Sequence, residues 1–285
     1  MTSAPFSPAY SPRREDGHWW RDRVIDCHGH LGEFRGYDLS LSTLRANIAR
    51  FGVRLVLVSN IDGAALEQTA DVDETEANRR ALETVRRHPD ELRGLLWTRP
   101  PDGDVERLLP FLDEHLPSGE PVFVGLKFHP EMNEFQADDP RVDPYLALCA
   151  ERRLPAVFHC DQPGTNSGPE RIHAAARRHP TAPVVLYHMV FEGGPHGPAL
   201  AAAESALASA DADLYLETAQ AHPDGVLEAV RAVGAERVLF GTDATYYGAE
   251  HYERYVEMVD LLRCELTAKD FAQVMGGNAR RLFRV

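Results

Sequence analysis

Histidines stand at the ends of four predicted strands, where a parallel barrel carries its reactive groups. Two of them, His28 and His30, end the first strand, while His129 ends the fourth, His159 the fifth and His188 the sixth. Side chains alternate between the two faces of a strand, so the spacing of two residues places His28 and His30 on the same face. Asp243 lies at the end of the eighth predicted strand.

These residue types are suited to holding a metal ion. Two imidazoles on one strand can bind an ion from one side, and a third histidine and a carboxylate from other strands can complete the site, roles that His159 and Asp243 fit. Such a nitrogen and oxygen set suits Zn²⁺, with Mn²⁺, Fe²⁺ and Co²⁺ as alternatives, and it acidifies bound water to a pKa of about 7. A single histidine at a strand end is usually structural, but several on one barrel rim predict a hydrolytic or Lewis-acid centre.

Eight short apolar runs rich in β-branched residues alternate with segments of helical composition. The predicted strands are 24–30, 53–60, 92–100, 122–130, 155–160, 183–189, 214–218 and 238–244. The predicted helices are 41–51, 73–88, 104–115, 143–153, 169–179, 198–210, 224–233 and 252–262. This alternation predicts a single α/β domain, a regular or distorted (β/α)8 TIM barrel over 23–285. Residues 1–22 are expected to form an N-terminal arm, and 270–283 a C-terminal helical cap broken at Gly276-Gly277.

Composition narrows the classes of partner. The chain has 285 residues with 30 basic and 44 acidic side chains, a net charge of −14 that disfavours nucleic acids and anionic membrane surfaces. Its four cysteines form no CxxC pair, which favours a reducing cytoplasm, and no stretch is typical of a signal peptide or membrane span. We therefore expect a cytoplasmic protein that acts on a small molecule, and a homodimer is the common state of such barrels.

The motifs resemble the amidohydrolase superfamily over nearly the whole chain. They are the DxHxH at 26–30, the single histidines of strands five and six, FGTDA at 240–244 and GGNARRLF at 276–283. The last is similar to the amidohydrolase-related branch, which includes small metal-dependent hydrolases and the aminocarboxymuconate-semialdehyde and resorcylate decarboxylases. The resemblance implies one divalent metal bound by His28, His30, His159 and Asp243.

The same resemblance implies catalytic roles for two residues. Asp243 would neutralise the ion and accept the proton of bound water, and His188 would orient that water or donate to a developing oxyanion. The simpler interpretations are a helix N-cap for Asp243 and a hydrogen-bonded core residue for His188.

Lys127 and His129 end the fourth strand and are predicted to face an anionic substrate. In binuclear members of the superfamily a carbamylated lysine on this strand bridges two metals, and the histidines of strands five and six would then serve the second ion. A third interpretation is a buried Lys127 paired with Asp26 or Glu217.

Other polar residues near strand ends are weaker candidates, because polar side chains collect on the loops of any barrel. They are Asn60, Asp62, Trp97, Arg99, Asp161, Glu217, His222 and Tyr246. The glycine-rich segment 192–198 could form a mobile lid from which His196 reaches a ligand, although a plain connection is the favoured interpretation.

Two enzyme functions fit this site. An open metal site beside a base, with short loops, predicts a hydrolase of a C–N or C–O bond in an amide, lactone or ester. The alternative is a non-oxidative decarboxylase, in which the ion binds carboxylate and enol oxygens and a protein acid delivers a proton to carbon. A non-catalytic barrel that binds a small molecule or a partner is a third hypothesis, which the complete set of ligands disfavours.

Overall fold

The computed structural model describes residues 23–190 and 196–285, and its eight parallel strands follow one another in chain order. The strands are β1 (Ile25–Leu31), β2 (Leu55–Asn60), β3 (Leu92–Thr98), β4 (Phe123–Phe128), β5 (Ala156–His159), β6 (Pro183–Tyr187), β7 (Asp213–Glu217) and β8 (Val238–Leu239). A bridge between Gly29 and Ala244 joins the last strand region to β1. The predicted (β/α)8 barrel is confirmed.

The eighth strand is shorter than predicted. The prediction was 238–244, but ladder pairing ends at Leu239. The N–H of Phe240 donates to the Val274 carbonyl, and the N–H of Thr242 donates to the Asp26 carboxylate. Asp243 has a φ of 62°, which an extended strand cannot contain. Pairing resumes at Ala244, whose N–H donates to the His28 carbonyl at 3.0 Å.

The described α-helices surround the strands. They are α1 (Leu41–Phe51), α2 (Glu74–Arg87), α3 (Leu109–Leu112), α4 (Asp143–Arg152), α5 (Pro169–Arg178), α6 (Gly197–Ser209), α7 (Pro223–Val233), α8 (Val256–Glu265), α9 (Ala268–Ala272) and α10 (Asn278–Phe283). The prediction of one helix over 104–115 is wrong, because a 3-10 turn at Val105–Leu108 precedes a four-residue α3. Pro110 is tolerated in the first turn of α3 but would disrupt the interior of a longer helix. The helix predicted over 252–262 begins as a 3-10 turn at Tyr252–Tyr255.

The predicted C-terminal cap closes the amino-terminal end of the barrel. Its break falls at Gly276, where a Cβ atom would lie 2.3 Å from the Arg23 carbonyl oxygen, so only glycine fits. Beyond the break, Leu282 and Phe283 of α10 pack in the barrel interior with Ile25 and Val124. A second, larger core fills the space between sheet and helices. The cap therefore leaves the opposite end of the barrel, at the carboxyl ends of the strands, as the location for an active site.

The remaining expectations concern other parts of the chain. The predicted arm at 1–22 and residues 191–195 of the lid segment lie outside the described residues. Within the described ranges, the helices are too short or too polar to cross a membrane. All four cysteines are free thiols, and Cys264 is the exposed one.

Candidate active site and metal centre

Three ligand atoms from β1 and the β8 loop converge at the carboxyl end of the barrel. The Nε2 atoms of His28 and His30 are 3.3 Å apart. The Oδ1 atom of Asp243 lies 3.3 Å from Nε2 of His28 and 3.1 Å from Nε2 of His30. All three side chains are buried.

This donor set fits a divalent metal. Donor atoms about 2.1 Å from one ion are separated by roughly 3.0 to 3.4 Å, according to the coordination geometry. Oδ1 of Asp243 is buried without a well-formed hydrogen bond among the described residues, as expected for an atom that binds a cation. The other ring nitrogens face Glu217 and Ser59, so that each Nε2 can direct its lone pair to the same point.

The backbone after β8 fixes the orientation of Asp243. Its left-handed φ and the return of Ala244 to the β1 ladder turn the carboxylate into the barrel mouth. The Gln220 side-chain amide donates to Oδ2 at 2.9 Å, which leaves Oδ1 for the metal centre. Burial raises the pKa of Asp243, but the close contact with His30 and nearby positive charge outweigh it, so the pKa lies below its usual value.

Glu217 at the end of β7 links two of the predicted site histidines. Its Oε2 lies 3.3 Å from Nδ1 of His28 and accepts the backbone N–H of His188 at 2.9 Å, while Oε1 accepts the N–H of Ala219 at 2.7 Å. Burial raises the pKa of Glu217 well above its usual value, and a nearby divalent cation would favour the ionised form. The sequence placed Glu217 among the weaker candidates and as one possible partner of Lys127, and its strand-end position was the available signal.

We expect Glu217→Gln to weaken metal binding by about 10- to 100-fold, because an amide is a weaker acceptor for the outer nitrogen of His28 than a carboxylate that a bound metal keeps ionised. The dissociation constant is measured by competition with a coloured chelator. Glu236→Gln, a change on the surface turn before β8, is the control and should leave this constant unchanged. Equal metal affinity in Glu217→Gln and the native protein would contradict the role of Glu217.

The remaining predicted histidines join the same cluster. The rings of His129 and His159 stack with centroids 4.0 Å apart, and the ring of His188 lies edge-on to His159 at 4.9 Å. Burial lowers the pKa of His129 and His159 well below the usual value and that of His188 to about 4, so these imidazoles are neutral near pH 7. The cluster places His188 beside the ring of His28, with centroids 4.9 Å apart.

His159 lies outside the closest groups of ligand atoms among the described residues. Among the described residues, two sets have ligand atoms within 4.8 Å of one another: His28, His30 and Asp243, and His28, His188 and Glu217. Neither set contains His159. Its role as the fourth ligand stays a prediction.

Lys127 is buried at the centre of the site. Its Nζ lies 3.4 Å from Nε2 of His28 and 4.3 Å from the centre of the Tyr187 ring. Burial lowers the pKa of this amine to about 8, although Asp243 and Glu217 oppose the shift. No carboxylate that the structure describes forms an ion pair with Lys127, so its predicted pairing with Asp26 or Glu217 is wrong. Asp26 instead accepts hydrogen bonds from Thr242, Tyr252 and the N–H of His28. Substrate binding by Lys127 and His129 stays a prediction.

The weaker candidates divide between the site and the scaffold. The rings of Tyr246 and Trp97 lie 5.9 and 6.5 Å from that of His30. Arg99 forms an ion pair with Asp102 and so belongs to the scaffold. His196 does not reach towards a ligand here, because its Nδ1 donates to the Met189 carbonyl and its Nε2 accepts a backbone N–H.

The fold and the converging histidine and aspartate atoms define a metal-dependent barrel enzyme. A family model described as Amidohydrolase matches residues 25–285. The chain belongs to this amidohydrolase family. No curated protein matches the sequence.

Solved structures resemble this barrel at low sequence identity. A 2,6-dihydroxybenzoate decarboxylase from Rhizobium is 16% identical, covers 92% of this chain and 98% of its own, and has a TM-score of 0.66. A dihydroxybenzoic acid decarboxylase from Polaromonas sp. JS666, with bound manganese and 2-nitroresorcinol, is 15% identical, with 92% and 96% covered and a TM-score of 0.63. A 4-oxalomesaconate hydratase from Rhodopseudomonas palustris is 17% identical, with 92% and 95% covered and a TM-score of 0.61. These likenesses show the fold.

Proposed function

We propose that the protein is a non-oxidative, metal-dependent decarboxylase of a small aromatic carboxylic acid. The observation that carries the proposal is the buried amine of Lys127, 3.4 Å from Nε2 of His28. A buried ammonium group needs a countercharge, and a substrate carboxylate beside the metal ligands would supply it. The fold likeness to two dihydroxybenzoate decarboxylases supports this alternative over the hydrolase that the short loops favoured.

Aromatic side chains beside His30 support an aromatic substrate. Phe34 and Tyr37 stack with centroids 5.9 Å apart, and Tyr246 stands edge-on to both rings at 5.5 and 5.2 Å. The Tyr246 ring is also edge-on to His30 at 5.9 Å, while Tyr37 is 49% exposed. This cluster therefore extends from the surface to the metal centre, and a planar ring can pack against it.

Decarboxylation replaces a carbon–carboxylate bond with a carbon–hydrogen bond. A proton is added to the ring carbon, CO₂ leaves, and the electron pair of the broken bond stays with the ring. When bound, the divalent ion supplies Lewis acidity for substrate oxygens. Asp243 is ionised at rest because its pKa is low, so it can take a proton from a substrate hydroxyl group and pass it to the ring carbon.

In this proposal the other side chains bind and orient the substrate. Lys127 pairs with the carboxylate until CO₂ is lost, and the neutral imidazole of His188 accepts a hydrogen bond from a substrate hydroxyl group. The Nδ1 of His188 lies 3.3 Å from the Ala219 carbonyl, an arrangement that assigns the ring proton to Nδ1 and leaves Nε2 as an acceptor.

Hydrolysis is the second candidate, because the ionised Asp243 is equally suited to it. A carboxylate with a low pKa beside a metal site can take the proton of an attacking water, as amide or lactone hydrolysis requires. The two reactions use the same ligands and differ in the bond that breaks.

The test is a substrate screen with the metal-loaded protein. Hydroxybenzoic acids are assayed for CO₂ release, and lactones, esters and anilides for water-dependent cleavage. We expect CO₂ and the decarboxylated ring in equal amounts from at least one acid. Cleavage of a lactone, ester or anilide without CO₂ release from any acid would contradict the proposal and favour hydrolysis.

The identity of the metal is also a proposal. Zn²⁺ is the expectation from the imidazole ligands, whereas the dihydroxybenzoic acid decarboxylase from Polaromonas contains manganese. We propose one ion per chain, as Zn²⁺ or Mn²⁺, in a cytoplasmic enzyme whose four thiols stay reduced. Metal analysis of the purified protein distinguishes the two ions.

A further inference from the structure

A groove of about 400 Å³ lies next to the metal centre, on the other side of Gln220. Its walls come from two loops and the helix that follows them: Gln220, Ala221 and Pro223 after β7, and Tyr247, Arg254 and Met258 after β8. Gln220 contacts both the groove and the metal centre: it lines the groove, and its side-chain amide donates to Oδ2 of Asp243 at 2.9 Å. The groove is therefore adjacent to the metal centre but separated from it by this amide.

The groove is positively charged in a strongly acidic protein. The chain contains 44 acidic residues, yet the groove lining includes neither Asp nor Glu. Arg254 supplies the charge, and in the part of the chain that the structure describes no carboxylate lies within 4.0 Å of its guanidinium nitrogens. The guanidinium carbon sits 3.8 Å from the centre of the Tyr247 ring, a stacking contact that holds the cation in place before a ligand arrives.

The floor of the groove is rigid and partly apolar. Tyr255 and Met258 are buried. The Tyr255 hydroxyl accepts the backbone N–H of Gln220 at 3.1 Å and donates to the Thr242 carbonyl at 2.5 Å, which ties the β7 loop to the β8 loop. A groove with one fixed cation and an apolar floor is suited to a ligand with a charged end and an apolar body.

We propose that this groove binds a small organic carboxylate as a ligand distinct from the reacting substrate. The carboxylate pairs with Arg254, and the apolar body packs on Pro223 and Met258. The ligand is distinct because the Gln220 amide, held by Asp243, separates the groove from the converging metal-ligand atoms. The site does not depend on whether the metal centre catalyses decarboxylation or hydrolysis.

The test uses benzoate as the probe and the metal-loaded protein with ¹³C-labelled methionine methyl groups. The Met258 signal is assigned with a Met258→Leu variant and is expected to shift in a saturable way as benzoate is added. Arg254→Gln should weaken this binding by at least about tenfold, since a charge-assisted hydrogen bond is lost. Arg263→Gln, a matched change on α8, should bind benzoate as the native protein does.

Several results would overturn the proposal. They are a Met258 signal that does not move, an equal shift in Arg254→Gln, and tighter binding of inorganic phosphate than of benzoate, which would show that the apolar body contributes nothing. Turnover without benzoate should be unchanged in Arg254→Gln. A loss of turnover would place the groove on the path of the reacting substrate and refute a distinct ligand.

Discussion

Asp243→Asn is expected to lower kcat/KM by about 10³-fold, within the range for loss of a group that transfers a proton in the rate-limiting step. The substitution keeps the size of the side chain and the contact with Gln220 but removes the negative charge. The amide can neither neutralise the metal nor carry a proton, whichever bond the enzyme breaks. Initial rates with the best substrate from the screen give kcat/KM, and metal analysis shows how much of the loss comes from metal release.

Asp260→Asn is the matched control for this prediction. Asp260 is also a buried carboxylate, but it lies on α8 beside Arg263 and away from the metal centre. The control should keep kcat/KM within about twofold, because such changes act through stability. If Asp243→Asn held a full equivalent of metal and turned over within tenfold of the native rate, Asp243 would have no part in the chemistry.

Removal of the metal is expected to lower turnover by at least about 10³-fold, since a Lewis acid contributes several kcal/mol to the transition state and each 1.4 kcal/mol is a factor of ten. The protein is dialysed against a strong chelator, the chelator is removed, and the rate is measured before and after addition of Mn²⁺ or Zn²⁺. We expect recovery at one ion per chain. Full activity in metal-free protein would contradict the assignment of the centre.

A pair of histidine variants separates loss of the site from loss of folding. His30→Gln should lower the metal content, because Nε2 of His30 is one of the three converging atoms. His179→Gln should retain it, because His179 pairs with Asp143 on the helical layer. Two ions per chain and a mass increase on Lys127 would support the bridging lysine of the binuclear interpretation.

The sequence predicted the barrel well because each strand carries its own signal. Apolar runs bounded by polar and glycine residues mark buried parallel strands regardless of their neighbours. The wrong predictions concern element boundaries that depend on contacts with residues distant in the sequence. The end of β8 depends on where the N–H groups of Phe240 and Thr242 find acceptors, and these acceptors, Val274 and Asp26, are remote in sequence.

The candidate site was predicted in the same uneven way. His28, His30 and Asp243 were predicted together because the ends of parallel strands meet at one rim. Glu217 and Gln220 were not given their roles, since each acts by contacting a group that is close only in the folded chain. Glu217 contacts Nδ1 of His28, and Gln220 donates to Oδ2 of Asp243. No local sequence pattern predicts such contacts between residues that are distant in the chain.

The C-terminal cap has a consequence for the folding of the nascent chain on the ribosome. Leu282 and Phe283 seal the lower mouth of the barrel against Ile25, and they are translated after all eight strands. Before these residues leave the ribosome, the apolar side chains in the interior of the assembled strands are exposed to water. We therefore expect the barrel to complete its folding only after α10 has been synthesised. Chaperones would matter most before that point, when they can shield the incomplete barrel.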